Sequence, residues 1–355
     1  MSPGEKTSTL AVGLACPTPA APAEVQLGHG SGGTMSAVLI RERILPHLAN
    51  PALEPLADAA LISAGGPELA ISTDSFVVSP LEFPGGNIGS LAVHGTLNDL
   101  AMMGAEPICI TAGLILEEGL AFAVLDRVIG AMAEAARAAG VPVVAGDTKV
   151  VERGKADGLF INTTGLGRCR ITPAPGPARA EPGDAIVISG PIGRHGMAIM
   201  AEREGIGFEA RISSDSATLW PLVRRLLDRL GPELHVMRDP TRGGLASALN
   251  EIAASARVGM VLHDRMPVPG PVAAACEILG LDPLYVANEG VFVTLLPANR
   301  AEEAVDILRG HPLGREATII GRVVADHPGY VVMETGVGGT RIVSMLPGDQ
   351  LPRIC

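Results

Sequence analysis

Two spacings of apolar residues take turns along this chain, one with the period of a strand and one with that of a helix. A helical spacing covers about Thr34 to His47, and short strands follow over Ala59–Ser63 and Leu69–Thr73. Ile88–Met103 reads as a helix, Ile108–Leu116 as a strand, and the Ala-rich stretch Phe122–Ala139 as a helix. Val141–Ala145 and Leu159–Gly167 read as strands bounded by Gly-Asp and Gly turns. The pattern then breaks over Thr172–Gly183, where four prolines and two glycines mark a domain boundary. Beyond the break, strands are predicted at Ala185–Ser189, Met260–His263, Gly290–Leu295, 317–324 and 330–345. Helices are predicted at Met197–Glu204, Ala217–Leu230, Leu245–Ser255, after Pro271 and at Ala301–Arg309. The expected organisation is a disordered leader over 1–24, an N-terminal domain over 25–170, a C-terminal α/β domain over 171–345 and a mobile tail over 346–355.

Composition fits that outline. At 355 residues the chain is long enough for two cores. Apolar residues make up 47%, yet aromatics contribute only one Trp, two Tyr and six Phe, against 44 glycines. That is the texture of an α+β (α/β) enzyme with many tight turns. A net charge of −11 excludes the basic footprint of a nucleic-acid binder. An acidic protein that holds a polyanion needs divalent cations between the like charges. The five cysteines are odd in number and scattered, so free thiols and a cytoplasmic location are expected. No apolar run reaches membrane-span length, and the stretch Thr9–Cys16 is too short and too close to Glu5 for an export signal.

Candidate chemistry sits at element ends. Gly28-His29-Gly30-Ser31-Gly32-Gly33 fits a glycine loop that closes backbone N–H groups over phosphates, although no firm strand precedes it. No Walker A loop occurs, so a nucleotide site must be built by other means. Asp58, Asp74, Asp99, Asp147 and Asp239 each lie beside small residues at a strand end or helix terminus. In a chain only 18% charged, such a set suggests oxygen ligands for magnesium on a triphosphate. Lys149 adds a point charge suited to a transferring phosphoryl group. His94 and Asn98, four apart, share a helix face, and Glu289 is a carboxylate at the entry of an apolar strand where its pKa can rise. His195 sits in a glycine turn and reads as structural. The chain ends on Leu351-Pro352-Arg353-Ile354-Cys355, a thiol free to swing and carry a covalent group, with Arg353 expected to offset the chain-end carboxylate beside it.

Together Gly28–Gly33, Ser72–Phe76, Asn98–Ala101, Gly146–Val150, Asp239–Gly244, Asn288–Gly290 and the terminal Pro-Arg-Ile-Cys resemble the HypE family of [NiFe] hydrogenase maturation factors, from about residue 25 to the end. The middle motifs are shared with aminoimidazole ribonucleotide synthetase and its relatives. The resemblance implies the two-domain fold of that superfamily, with N-terminal domains pairing in a homodimer through a shared β-barrel. It implies ATP and Mg²⁺ in a cleft, a carbamoyl group loaded on Cys355 by HypF, and dehydration to a cyano group passed to a HypC–HypD complex. Carried onto this sequence, the catalytic set is Cys355, Lys149 and Glu289, with either of the last two as base. The nucleotide set is Gly30, Gly32, Gly33, Asp74, Asp99, Asp147, Thr148, Lys149 and Arg242, and the metal set is Asp58, Asp74, Asp99 and Asp239. The alternatives are an ATP-dependent amidine-forming synthetase, which would not need Cys355, and a non-catalytic nucleotide-binding scaffold.

Overall fold

The computed structural model describes residues 33–346 except 49, 53, 64 and 206–211, together with 351 and 353–355. The leader, Gly30, Gly32 and Pro352 lie outside these residues. Helix α1 (Thr34–Leu39) passes through a π-helical turn into α2 (Leu45–Leu48), covering the predicted first helix. There follow β1 (Ala60–Ile62), β2 (Leu69–Phe76), a two-residue pair β3 (Glu82–Phe83) and β4 (Gly86–Asn87), and α3 (Ile88–Met102). Then come β5 (Ala105–Glu117), α4 (Phe122–Ala139), β6 (Val143–Val151) and β7 (Leu159–Cys169). The sheet runs β1-β2-β7-β5-β6, antiparallel except where α4 crosses over and returns β6 parallel to β5. Helix α3 starts where it does because the Asn87 side chain accepts from Gly89 N (2.9 Å) and Ser90 N, while Ser90 Oγ accepts from Asn87 N. It is buried on nearly every side, because the sheet, helix α4 and the second half of the chain all pack against it.

The second half builds β8 (Asp184–Ile188), α5 (Arg194–Arg203), α6 (Trp220–Leu230), β9 (Val236–Arg238), α7 (Gly244–Ala256) and β10 (Gly259–Leu262). It continues with α8 (Gly270–Leu279), β11 (Val293–Pro297), α9 (Ala301–Arg309), β12 (Thr318–Val324), β13 (Val331–Glu334) and β14 (Thr340–Val343). The sheet order is β14-β13-β10-β12-β8-β11-β9. All five residues of β8 are buried, as befits a strand with partners on both edges and layers on both faces. The single strand predicted over 330–345 is two strands, β13 and β14, paired antiparallel. Among the described residues no helix is long and apolar enough to cross a membrane, and Cys109, Cys169, Cys276 and Cys355 are free thiols.

The halves are joined through the segment leading into α6. Asn98 of α3 donates to the carbonyls of Ala217 (3.0 Å) and Glu289 (3.2 Å) and accepts from Leu219 N (2.8 Å). Asp215 accepts from the backbone N–H groups of Glu289 and Gly290. Only glycine fits at 290, since a Cβ there would lie 1.7 Å from the Asp215 carbonyl oxygen. Gly290→Ala is therefore expected to push this segment away and lower stability by about 1–3 kcal/mol, the usual cost of overpacking. A melting temperature equal to that of the unsubstituted protein would contradict this packing.

Candidate active site

A cleft of about 790 Å³ opens between the halves, lined among others by Gly33, Asp58, Asp74, Asp99, Arg238, Asp239, Arg242 and Ser247. The elements deliver these side chains from four directions. Asp58 precedes β1, Asp74 lies on β2, Asp99 on α3, and Asp239 follows β9. Carboxylate oxygens of Asp58, Asp99 and Asp239 all lie within 4.8 Å of one another. Ser72 donates to Asp99 at 2.5 Å and Thr96 to Asp74 at 2.9 Å, which fixes both rotamers. Arg238 forms ion pairs with Asp58 and Glu251, each at 2.7 Å.

Burial dominates the electrostatics here. It pushes Asp58 up to about 8 against the pull of Arg238, with Asp239 adding repulsion. Burial raises Asp239 to about 6 against the pull of Arg238, with Asp74 adding repulsion, and burial with three neighbouring carboxylates drives Asp99 well above the ordinary range. Carboxylates gathered this closely out of water call for a cation. An all-oxygen donor set suits a hard divalent ion such as Mg²⁺, and Ser247 Oγ, buried in the cleft wall without a partner, remains available to a bound ligand.

The tail closes one side of the site. Although a mobile segment was expected, its described residues are seated in the fold. Val77 N donates to a terminal carboxylate oxygen of Cys355 (3.1 Å) and Ser79 N to the Arg353 carbonyl (3.2 Å), extending the backbone pairing beyond β2. Ile354 is 2% exposed, inside an apolar cluster that includes Phe76, Phe83 and Ile199. Burial pushes the Cys355 thiol up to about 12, opposed by Arg242 and reinforced by Glu289, Asp74 and Asp239. The expectation for Arg353 is therefore corrected. Its guanidinium turns to Asp157 (2.5 Å) and the Val77 carbonyl, and Arg242 is the cation that acts on the thiol.

Other predicted residues divide clearly. Glu289 is 2% exposed and close enough to α3 that a Cβ on Gly95 would lie 3.8 Å from its Oε2. Burial, then Asp239, Asp215 and Asp74, hold its carboxyl well above the usual range. Gly33 lines the cleft at the base of the tail, with the neighbouring Thr34 N bonded to the Leu346 carbonyl (2.9 Å). Asp147, Thr148 and Lys149 do not line the cleft of their own chain. They lie exposed on edge strand β6, where Lys149 pairs with Asp147 at 2.5 Å. Sequence reasoning passed over Asp215, Arg203 and the true partners of His195. The last is fully buried, with Nδ1 2.8 Å from Ser214 Oγ and Nε2 2.9 Å from the Ile354 carbonyl. A histidine flanked by Gly193 and Gly196 was the available signal, because small residues there admit another segment.

Known proteins resemble this arrangement along nearly the whole chain. Family models described as AIR synthase related protein match here, the N-terminal domain over residues 56–169 and the C-terminal domain over 181–334. A protein of Azotobacter vinelandii named carbamoyl dehydratase HypE is 54% identical over 336 residues, covering 93% of this chain and 97% of that one. A crystal structure of the hydrogenase maturation protein HypE in complex with ATP is 51% identical, with a TM-score of 0.79, covering 92% of this chain and 98% of that one. A HypE–HypF complex contains a chain 44% identical, with a TM-score of 0.83, covering 87% of this chain and 99% of that one. The two-domain architecture is therefore that of the AIR synthase superfamily, as the resemblance implied.

The raised carboxyls set a pH signature. Folded Asp58 and Asp239 titrate near 8 and 6, above the unfolded value of about 3.9, so the metal-free fold holds extra protons in between. The stability they contribute is present in acid and lost as pH rises through that window. Mg²⁺, which competes with those protons, is expected to raise the melting temperature more at about pH 8 than at about pH 5. Equal shifts at both values in a thermal melt would count against a metal site there.

Proposed function

This chain belongs to the AIR synthase related family, in its HypE branch, and from that premise we propose that it is an ATP-dependent carbamoyl dehydratase of [NiFe] hydrogenase maturation. The observation that carries the reading is the terminal thiol, docked within the electrostatic reach of Arg242 and Glu289 beside a carboxylate-lined cleft. The substrate is a carbamoyl group carried as an S-carboxamide on Cys355. Its oxygen takes the γ-phosphoryl group of ATP, and ADP leaves. The nitrogen loses one of its two protons to solvent as the O-phosphorylated imidate forms; Glu289 then accepts the second, the C–O bond breaks with loss of phosphate, and an S-cyanate remains. Arg242 sits where it can steady charge at the sulfur and at the departing phosphate. The neutral adduct suits a pocket that disfavours a bare thiolate.

Asp58, Asp99 and Asp239, with Asp74 beside them, would hold Mg²⁺, which supplies charge neutralisation on the triphosphate. Filling that site also removes the repulsion that Asp239 exerts on Glu289, which favours the carboxylate form a base requires. HypF is the expected carbamoyl donor and a HypC–HypD complex the cyano acceptor, all in the cytoplasm. We assign residues 25–170 to an ATP-binding, dimer-forming domain and 171–345 to its C-terminal partner. The open edge of β6, with Val144 and Val150 exposed, supports a homodimer closed through this strand. Lys149 would act only through such pairing, so Glu289 is the base the single chain supports.

Three substitutions test the assignment by intact mass. In carbamoylated protein the adduct of about 43 Da should convert to about 25 Da when ATP is added, on Cys355 alone. Glu289→Gln should slow that conversion by about 10²–10⁴-fold, the range for one proton-transfer group. Asp99→Asn should lose Mg²⁺-dependent turnover, and Cys355→Ala should lose both adducts. Adducts that persist on another cysteine would overturn the reading.

A further inference from the structure

Helix α5 meets the tail at three successive points. At its first turn His195 Nε2 lies 2.9 Å from the Ile354 carbonyl oxygen. One residue on, the backbone at Gly196 leaves room for Leu351, whose Cδ1 would lie 3.4 Å from a Cβ placed there. At its last residue Arg203 donates through Nη2 to the Arg353 carbonyl (2.8 Å) and through Nε and Nη2 to the Ser79 carbonyl (2.9 and 2.7 Å). The helix belongs to the second half of the chain, whereas Val77 and Ser79, which pair with the tail from the other side, belong to the first.

The hydrogen bonds dictate the state of the imidazole. A carbonyl oxygen only accepts, so Nε2 carries a hydrogen, and in the neutral ring Nδ1 accepts from the Ser214 hydroxyl. Ser214 is itself anchored by its N–H to the Pro84 carbonyl (2.8 Å), and Phe83 stands edge-on to the ring at 5.6 Å. The next residue, Asp215, holds the backbone N–H groups of Glu289 and Gly290. The tail carbonyl, His195, Ser214, Asp215 and the Glu289 backbone thus form one continuous series of contacts.

We infer that His195 and Arg203 are positioning residues which grip the last two peptide carbonyls of the tail and so set the place of Cys355 relative to Glu289. The grip is on the main chain and leaves the sulfur untouched, so a loaded and an empty tail are held alike. The inference deepens the dehydratase reading, on which its catalytic meaning rests, but the docking it describes can be measured without a carbamoyl group.

The test is the rate of Cys355 alkylation by iodoacetamide at fixed pH, followed by peptide mass spectrometry on the full-length protein. Loss of one neutral hydrogen bond should raise the released fraction, and the rate, about 3–10-fold in His195→Phe, and loss of a charged donor about 10-fold or more in Arg203→Met. His195→Gln, which can still donate to the Ile354 carbonyl, should restore slow alkylation. In carbamoylated protein His195→Phe and Arg203→Met should slow the single-turnover conversion while leaving the KM for ATP unchanged. Wild-type alkylation rates in folded His195→Phe and Arg203→Met would overturn the proposal. If His195→Phe does not fold, Arg203→Met decides alone. Altered alkylation with no dehydration in any variant, the unsubstituted protein included, would keep the grip and remove the dehydratase reading instead.

Discussion

Like charges gathered out of water are the constraint around which this molecule is built. Four aspartates enter one cleft from both halves of the chain, and one half-buried guanidinium, Arg238, reaches Asp58 on one side and Glu251 on the other. In low dielectric such a pairing contributes little net stability, because desolvation offsets most of the attraction. Its effect is placement. Arg238 and Glu251 come from the second half and Asp58 from the first, so the pairing also registers the two halves against each other. The remaining carboxylates are left without full compensation, a state that favours any cation bringing two charges on a small radius.

The same division of labour appears at the domain junction. Asn98 uses both ends of its amide to tie α3 to the segment entering α6, and Asp215 ties that segment to the backbone at Glu289. Glu289, the base we propose, is held by its own main chain and so keeps its position whatever its protonation state. Asp239 and Asp74, which would hold the proposed metal, both push the Glu289 carboxyl up, so a cation bound there would ease its ionisation.

How far this was legible in the sequence depends on what each element buries. Helix α4 and helix α9 were read to the residue, because each carries an apolar stripe at helical spacing. Strand β6 was read short. Its continuation through Gly146, Asp147 and Lys149 is solvent-exposed on an edge, so nothing forces apolar alternation there. The pair β3–β4 and strand β9 are two or three residues long and leave no period to detect. Within the site, Asp58, Asp99 and Asp239 were visible as carboxylates among small residues, whereas Asp215 looked like any turn aspartate. The docking of the tail was not legible either, since one buried isoleucine and a set of backbone hydrogen bonds have no signature in composition. His195 faces that backbone, and backbone is the same under every sequence.

The docked tail also fixes the kinetics of whatever chemistry takes place on it. A reacting group joined to its own enzyme by main chain is present at a local concentration set by tether and dock, and dilution of the protein does not alter it. Each molecule meets one equivalent of that group and no competitor from solution, so the orientation that free substrates must find by collision is settled by folding. Selection among metabolites is then unnecessary at the cleft, and the burden of specificity shifts to the encounter in which the thiol receives its load.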